Sequence, residues 1–357
     1  MKCAYFGLCG SCSLPLSYEE QLAKKVESFK ELFEVEPEVF PSKPSHYRAR
    51  AEYRITQGSY GMHRLGGKGL IEIESCPMVI EPIFEVMPKL LEAIKQEDTL
   101  FHKLFRIDFL SGLSGEVLAT LVYHRPIDER WQEAAQSLTS LGIKVIGRSR
   151  GVKRILSEEF ITERLVVEGD SLLYRHYEGS FTQPNPYVNI KMIEWALQKS
   201  RGLGGDLLEL YCGSGNFTLA LAQNFHKVLA TEVSKSSIKA AKENRALNGV
   251  ENVEFVRLSS EEVSQALHGR TFRRLEGIAL KDFDFSCVFV DPPRCGLDSA
   301  TLDVIKEFDH ILYISCNPTT LHRDLQELTK SHRIDSVAVF DQFPYTNHLE
   351  AGVFLRR

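Results

Sequence analysis

LLELYCGSGNFTLALA, residues 207–222, decides the fold. An apolar strand runs into a turn built on Gly213 and Gly215, and apolar residues at helical spacing follow. Glycine lacks a Cβ, so the chain can reverse sharply and let a ligand approach its backbone. In an open α/β sheet such a turn lies at the carboxyl end of a strand, where ligands bind. By itself, G-x-G is also an ordinary strand-to-helix connection.

Outward from this turn the rhythm is strand, helix, strand, helix. The spacing predicts strands at 206–211, 227–233, 253–258, 287–291, 310–315, 334–340 and 350–355. Near-continuous apolar strands separated by helices imply a parallel sheet buried on both faces. Only a short turn joins the last two, so one of them should run antiparallel. Upstream, GSFTQPNPY (179–187) is rich in Gly, Pro and Asn and marks a boundary. Before it, short alternating segments such as AEYRIT (51–56), RIDFL (106–110) and VLATLVYH (117–124) predict a small α+β unit, with helices near 83–94 and 129–141. A further helix is expected over 17–34, ended by Pro37, Pro41 and Pro44. The fold class is α/β, divided into 1–178 and 179–357.

The chain has 357 residues and a net charge of -5, which disfavours broad affinity for polyanions. Any nucleic acid must be met by local patches, and HYRARAEYR (46–54), KVIGRSRGVKR (144–154) and RTFRR (270–274) supply them. Tyr47 and Tyr53 interleave the first patch, as stacking on exposed bases requires. No apolar run is long enough to span a bilayer, and the N-terminus is not a secretory signal. A cytoplasmic protein is expected. Its eight cysteines then point to metal binding or catalysis rather than disulfides.

The glycine turn has no third glycine for a pyrophosphate, and Glu232 ends the next strand at the offset of a ribose-binding acid. That pairing suits S-adenosylmethionine better than NAD. Tyr211 and Asn216 flank the turn and face either the cofactor or the packing. Asp291 ends the next apolar strand, before two prolines and Arg294. One strand later Cys316 occupies the equivalent loop, whereas Cys287 sits within a strand as a buried cysteine would. A thiolate near Arg294 would be a strong nucleophile. Uracil gives that nucleophile a use: C5 takes a methyl group only after addition at C6 makes an enolate, and a base must then remove the C5 proton. Both Glu350 and His348 are placed for this at the start of the last strand.

FTQPN (181–185), LELYCGSGNF (208–217), DPPRCGLD (291–298), SCNPTTL (315–321) and FDQFPYTNHLEAG (340–352) together resemble the RNA 5-methyluridine methyltransferases. SHYRARAEYRI (45–55) and HKLFRIDFL (102–110) resemble the tRNA-modifying branch in particular. The resemblance implies a class I (Rossmann-like) methyltransferase sheet with a smaller N-terminal RNA-recognition domain. It implies that Gln183, Tyr211, Asn216, Glu232 and Asp291 bind the cofactor, that Cys316 is the nucleophile and Arg294 holds the nucleotide. It also selects Glu350 over His348 as the base. The implied substrate is the T-loop uridine of tRNA, flipped out to reach Cys316. The implied protein is a monomer without DNA or membrane partners.

Cys3, Cys9 and Cys12, in C-x5-C-x2-C, with Cys76 resemble the iron–sulfur site of the rRNA-modifying branch. Four thiolates suit a [4Fe–4S] cluster, or zinc. An rRNA uridine methyltransferase is therefore the alternative within the same chemistry. An RNA chaperone that holds tRNA without methylating it is the alternative outside it.

Overall fold

A computed structural model describes residues 1–357. The first helix, α1 (Tyr18–Phe33), starts at Ser17, whose hydroxyl accepts from the Glu20 N–H at 3.2 Å while Glu20 Oε2 accepts from the Ser17 N–H at 3.0 Å. This capping box satisfies two donors that a first turn leaves unpaired. The helix ends as Glu34 turns left-handed at φ 54°. Past the prolines, β1 (Glu38–Phe40) runs parallel to a strand three hundred residues later in the large sheet.

The small unit contains β2 (Arg50–Thr56), β3 (Ser59–His63), β4 (Leu70–Ile73), α2 (Glu81–Lys95), α3 (Asp98–Phe101), β5 (Leu104–Ser111), β6 (Val117–Tyr123), α4 (Glu129–Ala135), β7 (Lys144–Ser149) and β8 (Val152–Ile155). Its sheet runs β4-β3-β2-β5-β6-β7-β8. Only β6 and β7 are parallel, because α4 crosses between them. Helices cover one face and seal a core around Tyr53, Ile107, Phe109, Leu90 and Trp131. The expected helix 129–141 is α4 followed by a tighter 3₁₀ segment, Gln136–Leu141.

The stacking role expected of two tyrosines in this unit is corrected by their burial. Tyr47 and Tyr53 do not offer rings to bases, since each is only 1% exposed. Tyr53 sits on the inward-facing half of the β2 alternation, while Glu52 and Arg54 face out.

A hairpin, β9 (Phe160–Val167) and β10 (Asp170–Tyr177), links the units. The large unit follows with α5 (Pro186–Ser200), β11 (Asp206–Leu210), α6 (Thr218–Leu221), β12 (Val228–Thr231), α7 (Lys235–Asn248), β13 (Val253–Val256), α8 (Ser260–Leu267), β14 (Phe285–Val290), α9 (Ser299–Ile305), β15 (His310–Ser315), α10 (Pro318–Leu328), β16 (Arg333–Phe340) and β17 (Glu350–Arg356). Sheet order is β1-β16-β17-β15-β14-β11-β12-β13. The strands from β13 to β15 are parallel, and β17 is antiparallel to both neighbours. Alternation sends Leu207, Phe289 and Leu312 into one core and Leu208, Val288 and Ile311 into the other, so both faces are buried.

Packing crosses the expected boundary at 178/179. β1 belongs to the large sheet, α1 lies against α10, and Leu165, Val167 and Tyr174 of the hairpin share a core with Leu207. The hairpin spans both units, since Ile161 packs on Leu110, Leu118 and Ile146 of the small sheet while Leu165, Val167 and Tyr174 face the large one. No helix is long and apolar enough to cross a membrane.

Candidate active site

The turn after β11 carries the backbone that the sequence demanded. Tyr211, Gly213 and Gly215 all have positive φ, at 62°, 56° and 86°. For Tyr211 this conformation costs on the order of 1 kcal/mol or more. Its hydroxyl is fixed by donation to Ser260 Oγ at 2.9 Å. A Cβ at Gly213 would enter open space, so the turn presents an accessible backbone cradle. Glu232 reaches under it: Oε2 accepts from the Gly213 N–H at 3.3 Å and Oε1 from the Ser234 N–H at 2.8 Å. Asn216 exchanges amide hydrogen bonds with Asn189 of α5 at 2.8 and 2.9 Å. Gln183 Oε1 accepts from Gln342 Nε2 at 3.1 Å, and the Gln342 side-chain oxygen has no partner. An unpaired buried oxygen beside Gln183 and an open glycine cradle braced by a carboxylate suit a cofactor with amine and hydroxyl donors.

Two loops at the same sheet edge bring the reactive groups together. Asp291 and Arg294 follow β14, and Cys316 follows β15. The Arg294 carbonyl accepts from Asn317 Nδ2 at 3.0 Å and from Thr320 Oγ1 at 3.4 Å, so the Cys316 loop holds the arginine loop. Beneath them, the buried Asp324 accepts from the Leu297 N–H at 2.9 Å and the Tyr313 hydroxyl at 2.6 Å. Sequence reading missed Asn317, Thr320 and Asp324. Only the α10 cap pattern N-P-T-T pointed toward the first two.

Charge at this edge is mostly negative and mostly buried. Burial pushes the Glu350 carboxyl well up, Asp291 adds to the rise, and Arg294 opposes it. Burial likewise takes Asp291 up to about 7. The Cys316 thiol is pushed up to about 11 by burial, then by Glu350 and Asp291, with Arg294 pulling the other way. Arg294 favours the thiolate in the expected direction, but burial and the two carboxyls act against it and the net push is upward. His348 lies 3.5 Å from Arg294, and partial desolvation with the charges of Arg294 and Lys25 pushes its imidazole down.

Cys316, Arg294 and His348 open onto a pocket of about 480 Å³ whose far wall is α1, through Lys24, Lys25, Ser28, Phe29 and Leu32. That wall was not foreseen, because nothing local in residues 18–33 marks them as neighbours of Cys316. Lys25 secures it: Nζ meets the buried Asp341 at 2.6 Å and donates to the Phe343 carbonyl at 2.8 Å.

Residues 17–357 match the family model for tRNA (Uracil-5-)-methyltransferase. The chain belongs to the tRNA (uracil-5-)-methyltransferase family. It is 64% identical over 360 residues, with full coverage of both chains, to the tRNA/tmRNA (uracil-C(5))-methyltransferase of a Nitratiruptor species. The protein of the same description from a Sulfurovum species is 51% identical, again over the full length of both. The fold is similar to the structure of Pyrococcus abyssi tRNA (uracil-54, C5)-methyltransferase in complex with S-adenosyl-L-homocysteine. The TM-score is 0.79 at 27% identity, over 97% of this chain and 85% of that one. Family membership makes this chain an S-adenosylmethionine-dependent methyltransferase with the class I sheet.

The family match begins after Cys3, Cys9 and Cys12. These three and Cys76 are free thiols, and Cys12 is pushed up to about 12 by burial and by the other three as neighbours. Cys9 bridges to Arg64, and the Gly10 N–H donates to the His63 carbonyl at 2.8 Å, which ties the segment to the end of β3. The expectation of a formed metal site is not met: no three His, Cys, Asp or Glu side chains are arranged to hold a metal ion. The thiols converge without closing into a ligand set.

Proposed function

We propose that this enzyme transfers a methyl group to C5 of the T-loop uridine of tRNA, the residue named uracil-54 for the Pyrococcus relative, through covalent addition of Cys316 to C6. One observation carries the reading. Cys316 and Glu350 leave adjacent strands at the sheet edge that holds the cofactor turn, and a pocket large enough for a nucleoside opens beside them.

Gln183, Tyr211, Asn216, Glu232 and Asp291 would hold S-adenosylmethionine, whose bound sulfonium supplies the methyl group and a positive charge that favours ionised neighbours. Arg294, at the pocket mouth, holds the nucleotide and stabilises charge near Cys316. The thiol gives its proton to water as Sγ bonds to C6, and the C5–C6 π electrons move toward O4. After C5 is methylated, the Glu350 carboxylate takes the C5 proton, the C5=C6 bond re-forms and the Sγ–C6 bond breaks. His348, neutral and paired with Arg294, is left as an orienting group.

For the N-terminal cysteines the reading rests on donor chemistry alone. Four neighbouring soft sulfur donors, two of them buried, suit a [4Fe–4S] cluster once deprotonated, with zinc the alternative. Iron and sulfide analysis after anaerobic purification tests it, and iron-free, zinc-free protein with four reactive thiols rejects it.

Methyl transfer from labelled cofactor to separate tRNA and rRNA transcripts, with product mapping, tests the substrate. Label at the T-loop uridine is expected. Labelled rRNA with unlabelled tRNA would replace the substrate and leave the chemistry. An RNA substrate suits a cytoplasmic enzyme, and we propose that it acts as a monomer.

A further inference from the structure

The basic stretch 144–154 takes no part in the site above, and its arginines divide by partner. Arg148 is neutralised by Glu178, donating to Oε1 at 2.7 Å and Oε2 at 2.6 Å. Arg150, in the β7–β8 turn, is exposed and makes no ion pair. Arg125, just after β6, donates to the carbonyls of His102 at 2.9 Å, Pro126 at 3.0 Å and Thr99. Those carbonyls fix the guanidinium without cancelling its charge.

Arg125 and Arg150, with His124 and Ser149, line one concavity of about 680 Å³ to which no acidic residue contributes. Ser149 Oγ is buried there without a hydrogen-bond partner. Beside it His124 stacks on Phe105 at 3.8 Å, and Arg54 lies 4.0 Å from the same ring. Two uncompensated guanidinium groups, an imidazole and a free hydroxyl form a recognition set for phosphate oxygens. In a chain of net charge -5, such a patch is a local exception to the average field.

Topology fixes its place. Leu104, at the start of β5, pairs with Tyr123 at the patch end of the sheet. At the other end of β5, the Ser111 N–H donates to the Ala49 carbonyl, and the Ala49 N–H donates to the Pro184 carbonyl beside Gln183. The patch and the cofactor loop thus stand at opposite ends of an eight-residue strand, roughly 25 Å apart at ~3.3 Å per residue. A mononucleotide cannot reach both ends, whereas an RNA backbone can.

We propose that the concavity between the β6 end and the β7–β8 turn is a second RNA contact, at which Arg125 and Arg150 take backbone phosphates of the substrate away from the flipped uridine. The proposal rests on the RNA substrate argued above. Its test is tRNA affinity against salt for the full-length Arg150→Ala enzyme. Arg150 is exposed and unpaired, so the variant should keep its fold. The slope of log K against log salt should become shallower by about 0.7–0.9, the share of one phosphate. The Michaelis constant for tRNA should rise about three- to tenfold, with kcat at saturating RNA and the cofactor Kd unchanged. Arg150→Lys should restore most of the slope. Wild-type affinity and slope in Arg150→Ala overturn the proposal. Wild-type enzyme that methylates rRNA and not tRNA overturns the substrate reading instead, and the same comparison is then made with that RNA.

Discussion

Cys316 and Glu350 meet at the end of the β15–β17 ladder: its last pair is Ser315 with Ala351, Cys316 is the first residue beyond β15 and Glu350 the first of β17. Strand register, rather than loop conformation, therefore sets the spacing of the two groups. A one-residue slip would turn every side chain of β17 to the opposite face, so the burial of both faces holds the pair in place.

That proximity dictates a pH dependence. The Cys316 thiol stands at about 11 because of burial and two carboxyls, so the reactive form grows as pH rises through the neutral and alkaline range. The profile of kcat/KM for RNA should climb with pH from about 7 to 9, with no plateau at neutral pH. Arg294→Gln removes the one charge that favours the thiolate and should move the profile further toward alkali. A profile already flat at pH 7 in the wild type would contradict this.

Asp324 touches neither pocket nor cofactor turn, but it anchors the Arg294 loop through Leu297 and the Cys316 strand through Tyr313. Asp324→Ala should lower kcat about tenfold or more, because small displacements of reacting groups are costly. Cofactor Kd should be little changed. Asp324→Asn, which keeps an acceptor, should recover part of the loss. Equal loss of cofactor binding would assign the residue a general structural role.

Lys25 and Asp341 form an ion pair whose side chains are 3% and 0% exposed, so neither charge tolerates losing the other. Lys25→Met should destabilise the protein by ~3–5 kcal/mol, read by denaturant unfolding, and Lys25→Met with Asp341→Leu should recover much of it. The single variant should also loosen the 343–348 segment that α1 holds through the Phe343 carbonyl.

Glu209 lies buried under the glycine turn with one oxygen unpaired, and burial pushes its carboxyl from 4.5 to about 8. The folded state therefore binds a proton that the unfolded state releases above about pH 4.5. Stability from this group is complete below that pH and is lost as pH rises toward 8. Glu209→Gln should raise Tm at about pH 8 and leave it nearly unchanged at about pH 5. An equal drop at both pH values would contradict the assignment.

Much of this was legible in the sequence. Near-continuous apolar runs placed the strands from β11 to β17 within a few residues, and the glycines of 213–215 announced their turn. The shared placement of Cys316, Arg294 and Asp291 was legible because each follows a buried strand at one sheet edge. The thiol's protonation was not legible, since it depends on how many carboxyls surround it in space. Nor was the wall built by α1, which is held beside Cys316 by the Lys25–Asp341 pair and by packing on α10, about three hundred residues away in the chain. Tyr53 misled for a related reason: alternation in β2 has two faces, and the pattern alone does not say which meets the helices; Tyr47, before that strand, is buried instead against Tyr18, Met78 and Tyr345.

The central claim is that Cys316 bonds to C6 of the target uridine and that Glu350 lets it go. Glu350→Gln incubated with substrate RNA and S-adenosylmethionine, then run on a denaturing gel, tests it most directly. A protein–RNA band is expected that survives denaturation, carries the transferred methyl group and disappears in Cys316→Ala with Glu350→Gln. Absence of that band from Glu350→Gln, together with full turnover by Cys316→Ala, would contradict it.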